Sequence, residues 1–279
     1  MPADVADPAD HAVTDHRGIV VTAAGVSDVG RVRQHNEDAW LIAPPVYVVA
    51  DGMGGHEAGD RASRAVVRAF SSLEGTDVVT VADMDRCVRL AQALVDGLAV
   101  DDRPAPGSTV VAAAFTVMDG ADVCLVAHVG DSRAYIWRGG ALEQITHDHS
   151  LVQEMIDAGD LEASQAQQHP ERHVITRAIG ALEDSVAEFG MVPAIIGSRI
   201  LLCSDGLTSE VDDDVICGVL TSVPEPQVAA RELVDTAVSH GGRDNVTVVV
   251  IDVVGGSAGD DTLPGRTRLV EDTVRTRTA

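Results

Sequence analysis

The sequence predicts an α+β fold in which two antiparallel β-sheets pack face to face and helix pairs cover their outer faces, giving a four-layer α/β/β/α sandwich. Three observations lead to this prediction. Apolar strands follow one another through hairpin turns, which favours antiparallel pairing. The helices come in adjacent pairs. The strands are apolar almost throughout, so both of their faces need cover.

The first part of the chain combines short strands with a helix pair. Apolar runs over 20–26, 39–42 and 46–50 predict strands, and the third run stops at an Asp-Gly pair. Apolar residues at helical spacing predict helices over 58–73 and 84–100. These elements supply one helix pair and the beginning of the strand-rich core.

Two hairpins follow the helix pair. Residues 108–117 and 123–129 predict two long buried strands, joined by a turn that contains an Asp-Gly pair. Residues 135–137 and 141–145 flank an Arg-Gly-Gly turn, which is a second hairpin signal. Consecutive hairpins place these strands next to one another in antiparallel sheets.

The last part of the core contains two strands with helices between them. Apolar runs over 199–203 and 246–254 predict buried strands, and the second of these closes the domain. Helical patterns around 215–220 and 227–239 lie between them. These helices form the second pair, on the opposite outer face of the sandwich.

Residues 147–190 differ from this core because they are polar, helical over 151–158 and then loop-like. A polar excursion from a core is a candidate flap, although an ordinary surface insertion has the same pattern. The residues at the two ends, 1–16 and 255–279, are polar and show no sustained period, so we expect both to be disordered. One catalytic domain over 17–254 remains.

The chain is strongly acidic, with 44 Asp and Glu against 20 basic residues and a net charge of −24. Nucleic acids and anionic lipids are bound through cationic contacts, so neither is an expected partner. Self-repulsion that favours solubility explains most of this acidity, and metal sites a smaller part. Every basic residue is an arginine, which excludes a lysine nucleophile or Schiff base.

The four cysteines show no Cys-x-x-Cys spacing, and three of them lie in apolar stretches. We expect buried, reduced thiols, as in cytosolic proteins. No stretch approaches the ~20 apolar residues of a membrane span, and no signal-peptide pattern is present. The expected location is the cytoplasm.

The most informative feature is the position of five aspartates at the ends of apolar strands, usually beside a glycine. One such aspartate is an ordinary turn residue. Several in stacked sheets can converge at one edge of the sandwich, where their mutual repulsion demands cations. The five residues are Asp38, Asp51, Asp131, Asp205 and Asp244.

Carboxylate oxygens suit Mg²⁺ or Mn²⁺ better than zinc. Two such ions about 3.5–4 Å apart can hold a water between them and lower its pKa towards ~7, which activates it for attack on phosphorus. Such chemistry requires no protein nucleophile. The pattern therefore predicts a hydrolase of phosphate esters with two metal ions.

Three other residues have both a functional and an ordinary interpretation. Arg33 can bind phosphate oxygens through its guanidinium fork, or it is a surface cation. His56 can donate a proton to the leaving oxygen, or it is a polar surface or capping residue. Glu37 can orient a metal-bound water, or it is a turn carboxylate. Their proximity in sequence to the aspartates favours the functional interpretations.

Seven segments of this chain closely resemble the metal-dependent (PPM, or type 2C) serine/threonine protein phosphatases in their bacterial form. They occur in the family's order between about residues 20 and 253, and together they are highly specific. The segments are RVRQHNED (31–38), VVADGMGGHEAGDRAS (48–63), GSTVV (107–111), HVGDSRAY (128–135), HPERHVITRAIG (169–180), LLCSDGLTSEV (201–211) and GGRDNVTVVV (241–250).

This resemblance implies a binuclear Mn²⁺ or Mg²⁺ centre. Asp51 would bridge both ions, the backbone carbonyl of Gly52 would be a ligand, and Asp38 would act partly through water. Asp205 and Asp244 would complete the set. A weaker third ion would lie at Asp205 together with a further matching aspartate, Asp131.

The resemblance also implies the roles of residues around the metals. Arg33 matches the phosphate-binding arginine, His56 matches the proposed general acid, and residues 147–180 match a flap beside the active site. Glu37 and Asn245 would support the metal ligands from behind. The implied activity is hydrolysis of phosphoserine and phosphothreonine on proteins, which opposes Ser/Thr kinases. We therefore expect phosphorylated proteins as partners and a monomeric enzyme.

Two residues depart from the family's pattern. Ser209 stands where many relatives have another acid that supports the third ion, and His173 stands where many bacterial relatives have Asn. Two rival functions are a metal-binding regulator without catalysis and another two-metal hydrolase such as a nuclease. The first is disfavoured because every expected ligand is present, and the second because the chain is acidic.

Overall fold

The computed structural model describes residues 11–16, 18–55, 57–99, 105–180, 186–256 and 267–269, and it confirms the four-layer sandwich. In chain order the elements are β1 (His11–His16), β2 (Ile19–Asp28), β3 (Asp38–Ala43), β4 (Val46–Met53), α1 (Glu57–Phe70), α2 (Val81–Asp96), β5 (Gly107–Ser108), β6 (Val110–Met118), β7 (Ala121–Val129), β8 (Arg133–Arg138), β9 (Ala141–Gln144), α3 (Leu151–Ala158), β10 (Glu188–Pro193), β11 (Arg199–Cys203), α4 (Asp205–Thr208), α5 (Asp213–Ser222), α6 (Pro226–His240), β12 (Val246–Gly255) and β13 (Thr267–Leu269).

The strands form two antiparallel sheets. One sheet has the order β1-β2-β12-β11-β8-β9, and the other has the order β13-β10-β7-β6-β4-β3, with β5 paired to β4. Both predicted hairpins are present as the pairs β6–β7 and β8–β9. The long crossovers that join distant strands, such as β2 with β12, bring the two halves of the chain into one sheet.

Alternation along strand β4 shows how the layers are separated. Val46, Val48 and Ala50 pack towards helices α1 and α2, whereas Tyr47 and Val49 pack into the space between the sheets. Successive side chains of a strand point to opposite faces, so a continuously apolar strand serves two cores. The apolar runs of the sequence are therefore the signature of strands covered on both sides.

Strand β12 has the same arrangement in the other sheet. Val248 and Val250 pack against the layer of α5 and α6, whereas Val249 and Ile251 face the opposite sheet. Each helix pair thus covers one outer face. The three apolar cores that result hold the strand ends, and with them the aspartates, at fixed positions.

The structure describes a short strand within each of the two ends that the sequence predicts to be disordered. His11–His16 forms β1 on β2, and Thr267–Leu269 forms β13 on β10. Both strands extend a sheet at its edge through backbone hydrogen bonds, which need no apolar pattern in the added strand. The rest of the segments 1–16 and 255–279 lies outside the described residues.

Within the candidate flap over 147–190, helix α3 has the bounds that the sequence predicts, whereas the last residues of the segment belong to a sheet. Glu188–Pro193 forms β10, which pairs with β7 inside a sheet. Gly190 and Pro193 weaken the strand signal of this segment, because both residue types are rare in strand interiors. Among the described helices, none has the length and apolar character needed to cross a bilayer.

Candidate active site

A cleft of about 510 Å³ opens at the end of the sandwich where four of the predicted aspartates lie: its lining includes Asp51, Asp131, Asp205 and Asp244. Asp51 lies on β4, Asp131 follows β7, Asp205 begins α4 after β11, and Asp244 precedes β12. The strands that carry these residues end together because the two sheets are stacked. The convergence predicted for these residues is thus present in the fold.

Asp38 lies behind the cleft, directly opposite Asp51 in the register of β3 and β4. Its Oδ2 accepts hydrogen bonds from Ser204 Oγ at 2.8 Å and from Thr247 Oγ1 at 2.7 Å. Its Oδ1 is buried and has no hydrogen-bond partner among the described residues. A buried, unsatisfied carboxylate oxygen is costly, so this atom indicates a missing positive ligand.

The electrostatics of this pair agree with that interpretation. Burial raises the pKa of Asp38 to about 7, against the hydrogen bonds from Thr247 and Ser204, which lower it. Burial also raises the pKa of Asp51 well above its usual value, and the charge of Asp38 raises it further. Without a cation, these carboxylates cannot all be ionised at neutral pH at low cost.

The other aspartates of the cleft repel one another in the same way. Burial and then the charge of Asp205 raise the pKa of Asp131, although its side chain is partly open to the cleft. Burial and Asp205 also raise the pKa of Asp244, while Arg33 opposes the shift. The cluster extends over the whole floor of the cleft rather than being confined to one carboxylate pair.

Gly52 occupies a position where no side chain fits. A Cβ at this residue would lie 2.1 Å from the carbonyl oxygen of Gly59 and 2.6 Å from that of Glu37. The Gly52 N–H donates to the same Glu37 oxygen at 3.1 Å. The backbone after Asp51 therefore packs directly on helix α1, and the glycine allows this close approach beside the carboxylate cluster.

Asn245 fixes the segment that precedes Asp38. Its Oδ1 accepts from the N–H of Glu37 at 2.8 Å, and its Nδ2 donates to the carbonyls of Val29 and His35 at 3.0 Å each. The asparagine is buried and follows Asp244 directly. It thereby links the two ends of the ligand set through contacts that do not involve the carboxylates themselves.

Glu37 lines the cleft. Its Oε2 packs so closely on Gly59 that a Cβ added to this glycine would lie only 2.1 Å from it. Arg33 also lines the cleft, is half exposed, and donates through Nη2 to Asp244 Oδ2 at 2.7 Å. An ion pair therefore holds Arg33 at the rim. His56, the predicted general acid, lies outside the described residues.

Several hydroxyl groups around the aspartates were not predicted from the sequence. Thr109 Oγ1 accepts from the N–H of Asp51 at 3.0 Å and bonds Ser132 Oγ at 2.7 Å. Ser204 and Thr247 bond Asp38, as described above. The only sequence signal for such residues is their position beside a strand-end aspartate, which is too common to single them out.

The two residues that depart from the family's pattern both line the cleft. His173, on the flap, places Nδ1 3.8 Å from Asp205 Oδ2, and its side chain is 53% exposed. Ser209 follows α4, and its N–H donates to the Asp205 carbonyl at 2.8 Å. The candidate flap thus approaches the cleft beside Asp205.

Comparisons with known proteins identify the family of this chain. A sequence model described as protein phosphatase 2C matches residues 30–237. The chain is 39% identical over 242 residues to the serine/threonine protein phosphatase PstP of Mycobacterium tuberculosis, with 85% of this chain and 46% of that protein covered. This chain therefore spans about half the length of that relative.

Two further proteins match over almost their whole length. The serine/threonine phosphatase stp of Listeria welshimeri is 35% identical over 239 residues, which cover 81% of this chain and 93% of the relative. The crystal structure of the catalytic domain of PstP in complex with two manganese ions superposes with a TM-score of 0.76 at 36% identity, covering 84% of this chain and 98% of that one.

Proposed function

The chain belongs to the protein phosphatase 2C family, and from this premise we propose that it is a metal-dependent phosphatase of phosphoserine and phosphothreonine in proteins. The relatives named as serine/threonine phosphatases support this activity. The observation that carries the proposal is the aspartate cluster, in which buried carboxylates share a cleft with an arginine and require a cation that the protein itself does not supply.

The donor set fits Mn²⁺ or Mg²⁺. It consists of oxygen atoms, with an unpartnered buried Oδ1 on Asp38, and hard divalent ions prefer such ligands. When bound, two ions would neutralise the carboxylates and activate water for attack on phosphorus. The manganese ions of the related PstP structure support the choice of metal.

We assign the ligands by position in the cleft. Asp51 is central, since Asp38, Asp205, Asp131 and Asp244 all raise its pKa beyond the effect of burial, and we propose that it would serve as a ligand of both ions. The Gly52 carbonyl and the other core aspartates complete this set. Asp131 and Asp205 would hold a weaker third ion.

The remaining residues act on the substrate. Arg33 would bind the phosphate oxygens at the rim, with Asp244 holding its guanidinium in place. His56 would protonate the leaving oxygen of serine or threonine. Glu37 either orients a metal-bound water or serves as a turn carboxylate, and Asn245 keeps the backbone of Glu37 in position.

The biological setting is also part of the proposal. The phosphatase domain spans 17–254, acts as a monomer on phosphorylated proteins in the cytoplasm, and opposes Ser/Thr kinases. Its described cysteines are free thiols, which is the usual state in a reducing compartment. The acidic surface disfavours nucleic acids and anionic membranes as partners.

The direct test is hydrolysis of a phosphothreonine peptide with and without Mn²⁺. We expect turnover that depends on the metal and that is lost in Asp51→Ala and Asp244→Ala. Asp214→Ala, at an exposed aspartate of α5, is the matched control and should retain turnover. Turnover that survives both cleft substitutions would refute the site, and cleavage of single-stranded DNA in preference to the peptide would support a nuclease instead.

A second measurement concerns Arg33. Because its role is to bind phosphate that is present in the ground state, Arg33→Ala should raise KM more than it lowers kcat. Arg33→Lys should recover part of the loss, since it retains charge without the planar fork. A fall in kcat at unchanged KM would contradict this assignment.

A further inference from the structure

A second group of ionisable side chains lies near the cleft and takes no part in the chemistry above. Among the described residues, His128, His149 and Glu188 have ligand-type atoms that all lie within 4.8 Å of one another. The two imidazole rings are stacked, with centroids 4.5 Å apart. Both histidines are buried. Such a trio could hold a metal ion or form a hydrogen-bonded network.

The hydrogen bonds decide against a metal ion. The N–H of Gly130 donates to His149 Nδ1 at 3.1 Å, so the lone pair of this nitrogen is already used. The other ring nitrogen, Nε2, lies 3.4 Å from Glu188 Oε1 and 3.2 Å from Arg177 Nη1. The same Arg177 atom lies 3.3 Å from Glu188 Oε1, so a guanidinium stands where a cation would bind.

His128 supports the network from the other side. Its Nε2 lies 2.7 Å from the carbonyl oxygen of His147 and therefore donates to it. Burial, and then the neighbouring His149, lowers the pKa of His128 to about 4, so the ring is neutral at physiological pH. A neutral stacked ring can pack against His149 without repelling it.

His149 contacts two functional segments at once. It clamps Gly130, the residue before Asp131: its backbone N–H donates to the Gly130 carbonyl at 2.9 Å, and its side-chain Nδ1 accepts from the Gly130 N–H. Its own carbonyl accepts from the N–H of Thr176, on the flap, at 2.8 Å. Ile175, the residue before Thr176, lines the cleft.

Gly130 needs such support. Its φ of +107° is a left-handed conformation, and a Cβ at this position would lie 2.7 Å from Thr109 Cγ2. The residue before Asp131 therefore cannot carry a side chain that would anchor the turn. The anchor has to come from another segment, and His149 provides it through two hydrogen bonds.

We propose that His149 is a positioning residue that holds the Asp131 turn and the flap as one unit, so that the aspartate and the flap side of the cleft keep a fixed relation. This inference rests on the proposed function for its purpose, because Asp131 is there a ligand of the weaker ion. It predicts that loss of the clamp weakens that ion and releases the flap, while the Asp51 centre is affected less.

Three substitutions separate the two arms of His149. His149→Asn retains an acceptor close to the position of Nδ1 and loses the arm towards Glu188. His149→Gln places an amide donor near the position of Nε2 and loses the acceptor for Gly130. His149→Phe retains a ring and loses both side-chain arms, while the backbone bonds of residue 149 to Gly130 and Thr176 remain.

Two readouts do not depend on catalysis. Calorimetric titration with Mn²⁺ gives the number and affinity of the sites, and hydrogen exchange reports the amides of Gly130 and Thr176. We expect His149→Phe and His149→Gln to weaken the weakest Mn²⁺ site by about 10-fold or more, as loss of outer-shell support does elsewhere. His149→Asn should stay within about 3-fold of the parent at that site.

Exchange should be faster at both amides in His149→Phe than in the parent. The proposal is overturned if His149→Phe has the Mn²⁺ affinities and the amide exchange rates of the parent. It is also overturned if His149→Asn and His149→Gln have the same affinity at the weakest Mn²⁺ site. If His149→Phe does not fold, the comparison of the Asn and Gln variants decides. A chain that showed these effects without peptide turnover would refute the proposed function and leave the clamp intact.

Discussion

The neighbouring strands β11 and β12 have charged side chains at both ends, and these charges are paired at one end but mostly unpaired at the other. At one end, Arg199 and Asp252 face each other in register. At the other end, Asp205 follows β11 and Asp244 precedes β12, and both lie in the cleft. The two ends share the same sheet and the same cores, so the difference between them reflects what each set of side chains is for.

At the Arg199 end, the buried charges are fully paired by groups of the protein. Arg199 is 5% exposed, and it donates to both carboxylate oxygens of Asp252 at 2.5 and 2.7 Å. It also donates to the carbonyls of Leu220, Val223 and Pro224. Every strong donor of the guanidinium has an acceptor, which is the condition under which a buried ion pair is tolerated.

The aspartate end is incomplete. Several carboxylates with raised pKa values share it, one buried oxygen of Asp38 has no partner among the described residues, and Arg33 reaches only Asp244 at the rim. Such an arrangement lowers the stability of the metal-free protein, and binding of cations restores it. Buried charges of one sign without partners therefore indicate a ligand site.

The largest expected effect separates activity from stability at the aspartate end. Asp51→Asn should reduce turnover of the phosphopeptide by more than the ~10–100-fold that loss of outer-shell support costs. The same change should raise the melting temperature in EDTA, because it removes one of several repelling charges. A phosphopeptide hydrolysis assay with Mn²⁺ measures the first effect, and calorimetric melting in EDTA measures the second. A lower melting temperature of the variant in EDTA would show that repulsion among these carboxylates does not destabilise the metal-free protein.

The opposite behaviour is expected at the other end of the strands. Arg199→Met leaves Asp252 buried and unpaired, so the free energy of unfolding should fall by about 3–5 kcal/mol. KM for the folded enzyme should not change, since Arg199 lies far from the cleft along β11. Denaturant unfolding measures the loss. The double variant with Asp252→Leu should recover part of it, and no recovery would contradict the explanation.

The pH dependence of the metal-free protein should identify Asp38. Its pKa is about 7 in the folded protein, above the ordinary carboxyl value of 3.8. Between these values the folded state retains a proton that the unfolded state has lost, so stability falls as pH rises towards 7. Asp38→Asn should flatten this slope in EDTA. A slope that is unchanged in the variant would assign the effect to another group.

The smallest expected effect has the reverse sign. The pKa of His128 is lowered to about 4, so its contribution to stability is present above pH 6.5 and is lost as pH falls towards 4. His128→Gln, which retains a donor for the His147 carbonyl, should reduce the loss between pH 6.5 and 4.5 by at most about 3 kcal/mol. Urea unfolding at a series of pH values checks this, and an increased acid sensitivity would exclude it.

Most strands and helices could be predicted from the sequence, because apolar runs and turn residues are properties of short segments. Apolar runs such as 46–50, ended by Asp51 and Gly52, mark both the strand and its stop. The strands β1, β10 and β13 were missed because each joins the edge or interior of a sheet through backbone bonds, with weak side-chain patterns. Pairing energy that resides in the backbone leaves little trace in composition.

By itself, the sequence determined the layered fold, the family resemblance and the set of aspartates, since alternation, turn residues and ordered motifs are properties of short segments. Only the tertiary structure decided which groups support that set. Asn245 braces Glu37 across 208 positions, and His149 joins the Asp131 turn to the flap. The physical reason is that hydrogen-bond partners are chosen by distance in space, which the packing of the two sheets determines.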